Sequence, residues 1–292
     1  MDLCLYNRLS RRTTSMTTTQ FLSSSWNVIP AALTLCVLLL AAGMGRQISS
    51  ARHKLWLALA AALFAVAMFS PLNALARGYL FSAHMAQHLL LLLIIPALFC
   101  LSLPVQSAQH STRNEKCPEP NISVKSLVIS WLAGVGAMWL WHIPAFCNAA
   151  ATNDWIRRLQ TISLLIMGGM FWWPVLRPGT SRRIAPLAGV AYLFMACMAC
   201  TLLGIYITFS PVPVCSAYHH PVDRLGILPL IRQQWGLTPS VDQQVGGLLM
   251  WVPSCLIYLV GIIGQLARWY GNNEPAEAPF VPSPQAGGAG TS

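Results

Sequence analysis

Apolar runs of near-constant length, following one another with short polar breaks, restrict this chain to one kind of fold. A stretch of roughly 20 apolar residues spans the hydrocarbon core of a bilayer as a helix. Lipid offers no partner for backbone amides, so each run must satisfy its own hydrogen bonds. Seven runs can be marked, at residues 28–44, 55–71, 84–103, 126–146, 159–176, 186–209 and 246–268. Only 9% of the 292 residues are charged and 55% are hydrophobic, whereas a soluble domain carries about a quarter charged residues. No large soluble domain fits beside the spans. The expected fold class is all-α, a polytopic transmembrane helix bundle of seven spans within residues 28–270. A polar N-terminal tail (1–27) precedes it, and a disordered tail (271–292), rich in Pro, Gly and Ala, follows.

The formal net charge of +10 belongs to the loops and not to nucleic acid, since no basic block interleaved with aromatics stands outside the spans. Loop Lys and Arg fix orientation instead. Let A be the side that holds the N-terminus and B the other. Side B takes Arg46, Arg52, Lys54, Arg113, Lys116, Lys125, Arg177, Arg182, Arg183 and Arg268. Side A takes Arg77, Arg157, Arg158, Arg224 and Arg232, with Arg8, Arg11 and Arg12 of the tail. Ten against eight makes side B cytoplasmic, and a start at Met16 would remove the three tail arginines and widen the margin. The pair Arg11-Arg12 before the first run has the look of a signal peptide, but the cleavage region is poor and the run is expected to be retained.

That topology gathers chemistry on side A. Five of the seven histidines lie there: His84, His88, His142, His219 and His220. His84 and His88 share a helical face at the start of the third span, with Met85 between them. Imidazole in a membrane faces a bundle interior or a wet cavity, and it has partners there. Imidazole and thioether together suit Cu(I), whereas an oxygen-rich cage would suit Mg or Ca. His84, Met85, His88 and His142 are the candidate ligands, with Met68, Met250, Cys215 and His219/His220 as outer contributors. The alternative for the histidines is plain hydrogen bonding at an interface, and His219 and His220 read as surface residues of a loop.

A b-type haem is a second reading, with His88 and His142 as axial ligands and Trp139, Trp141, Phe171 and Trp172 as a porphyrin lining. Ser240-x-x-Gln243 reads as a capping box, with Asp242 complementing the dipole of the last span. Asp154 beside Arg157 and Arg158 reads as a solvated ion pair. The nine cysteines are too scattered for a disulfide scaffold. Cys197-x-x-Cys200 lies inside an apolar run, where packing is the default. No phosphate-binding glycine loop, H-E-x-x-H or G-x-S-x-G is present.

Four blocks carry a resemblance. They are Phe81-Ser-Ala-His-Met-Ala-Gln-His88, Trp141-His-Ile-Pro144, Phe171-Trp-Trp-Pro174 and Leu237-Thr-Pro-Ser-Val-Asp-Gln-Gln-Val-Gly-Gly-Leu-Leu-Met-Trp-Val-Pro253. In this order, across residues 55–266, the chain resembles the caa3-type CtaG family, polytopic membrane proteins of bacterial cytochrome c oxidase assembly. The resemblance implies an assembly factor and not an enzyme, residing in the bacterial inner (plasma) membrane. It implies copper as the metal handled, haem–copper oxidase subunits as partners, and an undefined copper donor. It carries over His84, Met85, His88, His142, Asp242, Gln243 and Met250 as functional positions, with the metal side facing the periplasm or exterior. A metal-free assembly scaffold is a further alternative. The family pattern has a histidine and then Glu-His at the start of the fifth span. This chain has Arg157, Gln160 and Thr161 there, which implies a reduced or altered ligand set.

Overall fold

The computed structural model describes residues 16–26, 50–104, 122–178 and 183–273. The proposed first span at 28–44, the loop with His110 and Cys117, and the tail beyond 273 lie outside them. The described residues form α1 (Thr18–Ser24), α2 (Ala51–Phe69), α3 (Pro71–Ala76) and α4 (Phe81–Ser102), then α5 (Val124–His142), α6 (Pro144–Thr152) and α7 (Asp154–Leu176). α8 (Pro186–Phe209), α9 (Ser216–His219) and α10 (Pro239–Asn273) follow, with a π-helical turn at Leu230–Gln234 between the last two. No strand occurs among the described residues. Six of these helices, α2, α4, α5, α7, α8 and α10, are long and apolar enough to cross a membrane. The all-α transmembrane bundle is therefore present, and six of its seven expected spans fall within the described residues.

The helices overrun the apolar runs where polar first turns are helical too. α7 starts at Asp154 instead of 159, with Asn153 capping the amides of Trp155 and Ile156. α10 extends from Pro239 to Asn273, so residues 271–273 of the expected tail are helical. One run is shorter than read. The fourth span stops at His142, because Ile143 precedes a proline and takes an extended conformation (ψ 129°). Pro144, whose missing N–H costs nothing at a first turn, then opens α6.

Two features bring the site together. α4 passes through a π-helical stretch, Leu89–Ile94, that begins one residue after His88. Pro96 has no N–H to offer the Leu92 carbonyl four residues back. Gly168 of α7 packs onto that turn so closely that a Cβ there would collide with the Leu92 carbonyl and Pro96. At the A end, the α10 N-terminus and the loop after α8 close over α4. Deeper in the bundle, Phe171, Trp172, Tyr192 and Tyr258 form an aromatic cluster with ring centroids 5.1–6.4 Å apart.

Candidate functional site

The first turn of α4 leaves its leading amides without helical partners. Asp242 of α10 supplies them. Its carboxylate accepts from the Phe81 N–H at 2.6 Å, the Ser82 N–H at 3.1 Å and the Ser82 hydroxyl at 2.5 Å. Asp242 is 1% exposed, so this is a buried, charge-assisted cap at the positive end of a helix dipole. The expected capping box at Ser240 is replaced by a different arrangement. Thr238 accepts from the Val241 amide at 3.3 Å, and Pro239 takes the first helical position. Gln243 is thereby free to reach outward. Its amide nitrogen contacts the carbonyls of Ile207, Ser210 and Val212, and its oxygen accepts from the Val214 N–H at 3.0 Å. Gln87 has a similar role on the other flank, donating to the Ala67 carbonyl (2.5 Å) and to Asn73 (3.2 Å).

Held in this way, α4 presents His84, Met85 and His88 to α5. His84 and His88 have ring centroids 4.3 Å apart, and His88 meets His142 edge-on at 5.3 Å. His142 donates from Nδ1 to the Met138 carbonyl at 2.5 Å, because a carbonyl can only accept. Its Nε2 therefore carries a lone pair, and this faces the Met85 sulfur at 3.1 Å. Nε2 of His84 and both ring nitrogens of His88 have no hydrogen-bond partner. All three imidazoles are 3% exposed and Met85 is fully buried. Buried imidazole nitrogens without a well-formed hydrogen bond carry a desolvation cost.

The walls are Tyr218 and Gln160. The Tyr218 ring sits 5.4 Å from His84 and 5.7 Å from Phe81, while its hydroxyl donates to the Ala76 carbonyl at 2.8 Å. Burial pushes this phenol above its ordinary pKa, so it remains a donor. Gln160 of α7 lies against His88 with its amide nitrogen also unpartnered. Among the three departures from the family pattern, Gln160 lies against His88, and Arg157 is near enough to His84 and Tyr218 to act on them electrostatically. Thr161 bonds back to the Arg157 carbonyl, and Arg157 pairs with Asp154, which also takes Arg77 at 3.3 Å.

The remaining candidates fall elsewhere. Met250 is buried on α10, one turn past Gly246, and Gly246 abuts Phe81 and Met85. Cys215 is joined to Cys147 in a disulfide, so neither is a free sulfur ligand. His219 is half-buried with Nε2 3.4 Å from the Gln243 oxygen, and His220 is exposed. Trp139 is 40% exposed, while Phe171 and Trp172 belong to the deep aromatic cluster, so they do not line one porphyrin site with Trp141. The contact between His88 and His142, with Met85 against the His142 nitrogen, leaves no gap between the rings for a haem. Among the described residues, no three His, Cys, Asp or Glu side chains are drawn together as a ready-made metal cage. The geometry is an open cluster of three imidazoles and one thioether.

The sequence matches the family described as cytochrome c oxidase caa3 assembly factor (Caa3_CtaG) over residues 32–272. The chain belongs to this caa3 assembly factor family. An uncharacterized protein of Mycobacterium leprae (strain TN) is 24% identical over 207 residues, covering 65% of this chain and 30% of the relative. The chain thus spans under a third of the length of that relative. No solved structure matches. As a member of the Caa3_CtaG family with several membrane-crossing helices, the chain is a multi-pass membrane protein of an oxidase assembly family.

Proposed function

We propose that this protein binds Cu(I) at the His84–Met85–His88–His142 cluster and passes it to a haem–copper oxidase during assembly. The observation that carries this reading is the set of unpartnered nitrogens on His84 and His88, beside a His142 lone pair that faces a thioether at 3.1 Å. With metal–imidazole and metal–sulfur bonds of roughly 2.0 and 2.3 Å, tetrahedral ligands of one d¹⁰ ion lie about 3.5 Å apart, so the His142–Met85 pair needs to open by only a few tenths of an ångström to hold one. Soft, neutral donors favour Cu(I) over harder ions. Transfer is by ligand exchange, with no bond chemistry in the protein. Asp242 and Gln243 act by positioning α4 and its neighbouring loop, not as ligands. The open cluster, short of a closed cage, suits an ion that must leave again.

The Cys147–Cys215 disulfide supports an outward-facing A side, because such bonds persist in oxidising compartments. A metal-free scaffold for an oxidase subunit is the competing reading, favoured by the absence of a three-residue cage among the described residues. Copper analysis of the purified protein separates the two. The copper reading expects about one ion lost in a His84→Ala/His88→Ala variant that still co-purifies with an oxidase subunit. Wild-type protein without copper would leave the scaffold, and copper content unchanged in the variant would remove the histidine cluster as the copper site.

A further inference from the structure

A second group of soft atoms lies away from this cluster, where α8 crosses α10. The sulfurs of Cys197 and Cys255 are 3.1 Å apart, closer than two sulfur atoms in van der Waals contact. The Thr201 hydroxyl is 3.3 Å from the Cys255 sulfur. One turn along α8 from Cys197, Cys200 donates to the Met250 carbonyl at 3.0 Å. Ser254, next to Cys255, is fully buried with an unpartnered hydroxyl. Cys197 is the twelfth of the 24 residues of α8. At 1.5 Å rise per residue it lies roughly 17 Å from either helix end, near the middle of the hydrocarbon. Cysteine as a small packing residue accounts for Cys200, which is fully buried. It does not account for two half-buried sulfurs pressed together beside the Thr201 hydroxyl.

We propose that Cys197 and Cys255 form an all-sulfur binding site for a soft monovalent cation, Cu(I), at the membrane centre. Two-coordinate binding needs only this pair, so the absence of a three-residue cage does not bear on it. An ion held linearly between them widens the sulfur separation to roughly 4.6 Å, taking metal–thiolate bonds near 2.3 Å. Side-chain rotation at two small residues supplies that opening. Cu⁺ arrives on a basic carrier ligand, which takes the Cys255 proton as it releases the ion, and the metal bonds to the resulting thiolate and to the Cys197 thiol. The Thr201 hydroxyl donates to the thiolate. The assembly is then neutral, which is the least costly charge state in hydrocarbon.

The pair also has a direction. Met250 lies five residues from Cys255 on α10, and Gly246, a turn further, touches Met85. Along α10 the order Cys255, Met250, Gly246 thus leads from the thiol pair toward the Met85 side of the imidazole cluster. The thiol site stands on its own geometry and does not require the histidine cluster to bind metal.

The test titrates full-length protein, purified anaerobically with the Cys147–Cys215 bond intact, with Cu(I) against a chromophoric chelator. Cys197→Ser/Cys255→Ser is expected to lose about one bound ion and the all-sulfur component of the copper X-ray absorption spectrum. His84→Ala/His88→Ala is expected to keep that component. Should the serine variant not fold, wild-type protein with stoichiometric Ag(I) is alkylated with N-ethylmaleimide and mapped by mass spectrometry. Selective protection of Cys197 and Cys255 supports the site. Unchanged copper binding in the serine variant, equal alkylation with and without Ag(I), or a Cys197–Cys255 disulfide in the reduced preparation would each overturn it.

Discussion

At the scale of single residues, the site separates donors from the groups that hold them. Met85 is fully buried in the core, and its sulfur faces the His142 nitrogen lone pair. Met85→Leu conserves volume and apolarity, so stability should change by less than about 1.5 kcal/mol. Cu(I) affinity measured by chelator competition should fall at least about tenfold, the equivalent of ~1.4 kcal/mol. Unchanged affinity would remove the thioether from the ligand set. Asp242 is the opposite case, with both oxygens committed to the α4 N-terminus. Asp242→Ala leaves two amides and a hydroxyl buried without a partner and should cost about 3 kcal/mol. Asp242→Asn should cost less, and both variants should lower the melting temperature in detergent. An Asp242→Ala protein as stable as wild type would contradict a capping role.

At the scale of elements, the helix α4 depends on a close approach that only glycine permits. Gly168→Ala would drive a methyl into the Leu92 carbonyl and Pro96. Overpacking of this kind costs about 1–3 kcal/mol, and the shift would fall on the π-helical turn next to His88. The expected result is a lower melting temperature with weaker copper binding, whereas Gly136→Ala, facing open space, should change neither.

These elements also indicate how much could be read in advance. The spans were legible because hydropathy is local, and the His84–His88 face because i,i+4 spacing is a property of one helix. The Asp242 cap spans 160 residues of sequence, and nothing near Ser240-Val-Asp242 indicates that its acceptor serves another helix. The capping box was a sound local motif that Thr238-Pro239 pre-empted. The end of α5 was marked in plain view by Pro144, which an average over an apolar window conceals. The roles of Gln160 and Tyr218 follow from which face of α7 and which loop meet α4, and that is decided by packing.

For the whole molecule, the sidedness of the bundle is the property on which delivery to an oxidase depends. Charge counting alone favours side B as cytoplasmic by ten residues to eight. The disulfide between α6 and the start of α9 adds an independent argument, because it lies on the A side with the histidine cluster. It closes a loop of 68 residues. Loop-closure entropy for a soluble chain of that length would give about 4 kcal/mol, but α7 and α8 within the loop are already anchored by the bilayer when tertiary contacts are lost. Reduction should therefore destabilise the protein by clearly less than that figure, read as a small drop in melting temperature. Its greater use is as a marker of orientation. In intact cells, a membrane-impermeant reductant followed by an impermeant maleimide should label Cys147 and Cys215. A Lys125→Cys substitution, at an exposed position on the B side, should remain unlabelled until the cells are opened. Labelling of Cys147 and Cys215 only after lysis would put the imidazole cluster on the reducing side, away from the exterior compartment that the proposed delivery requires.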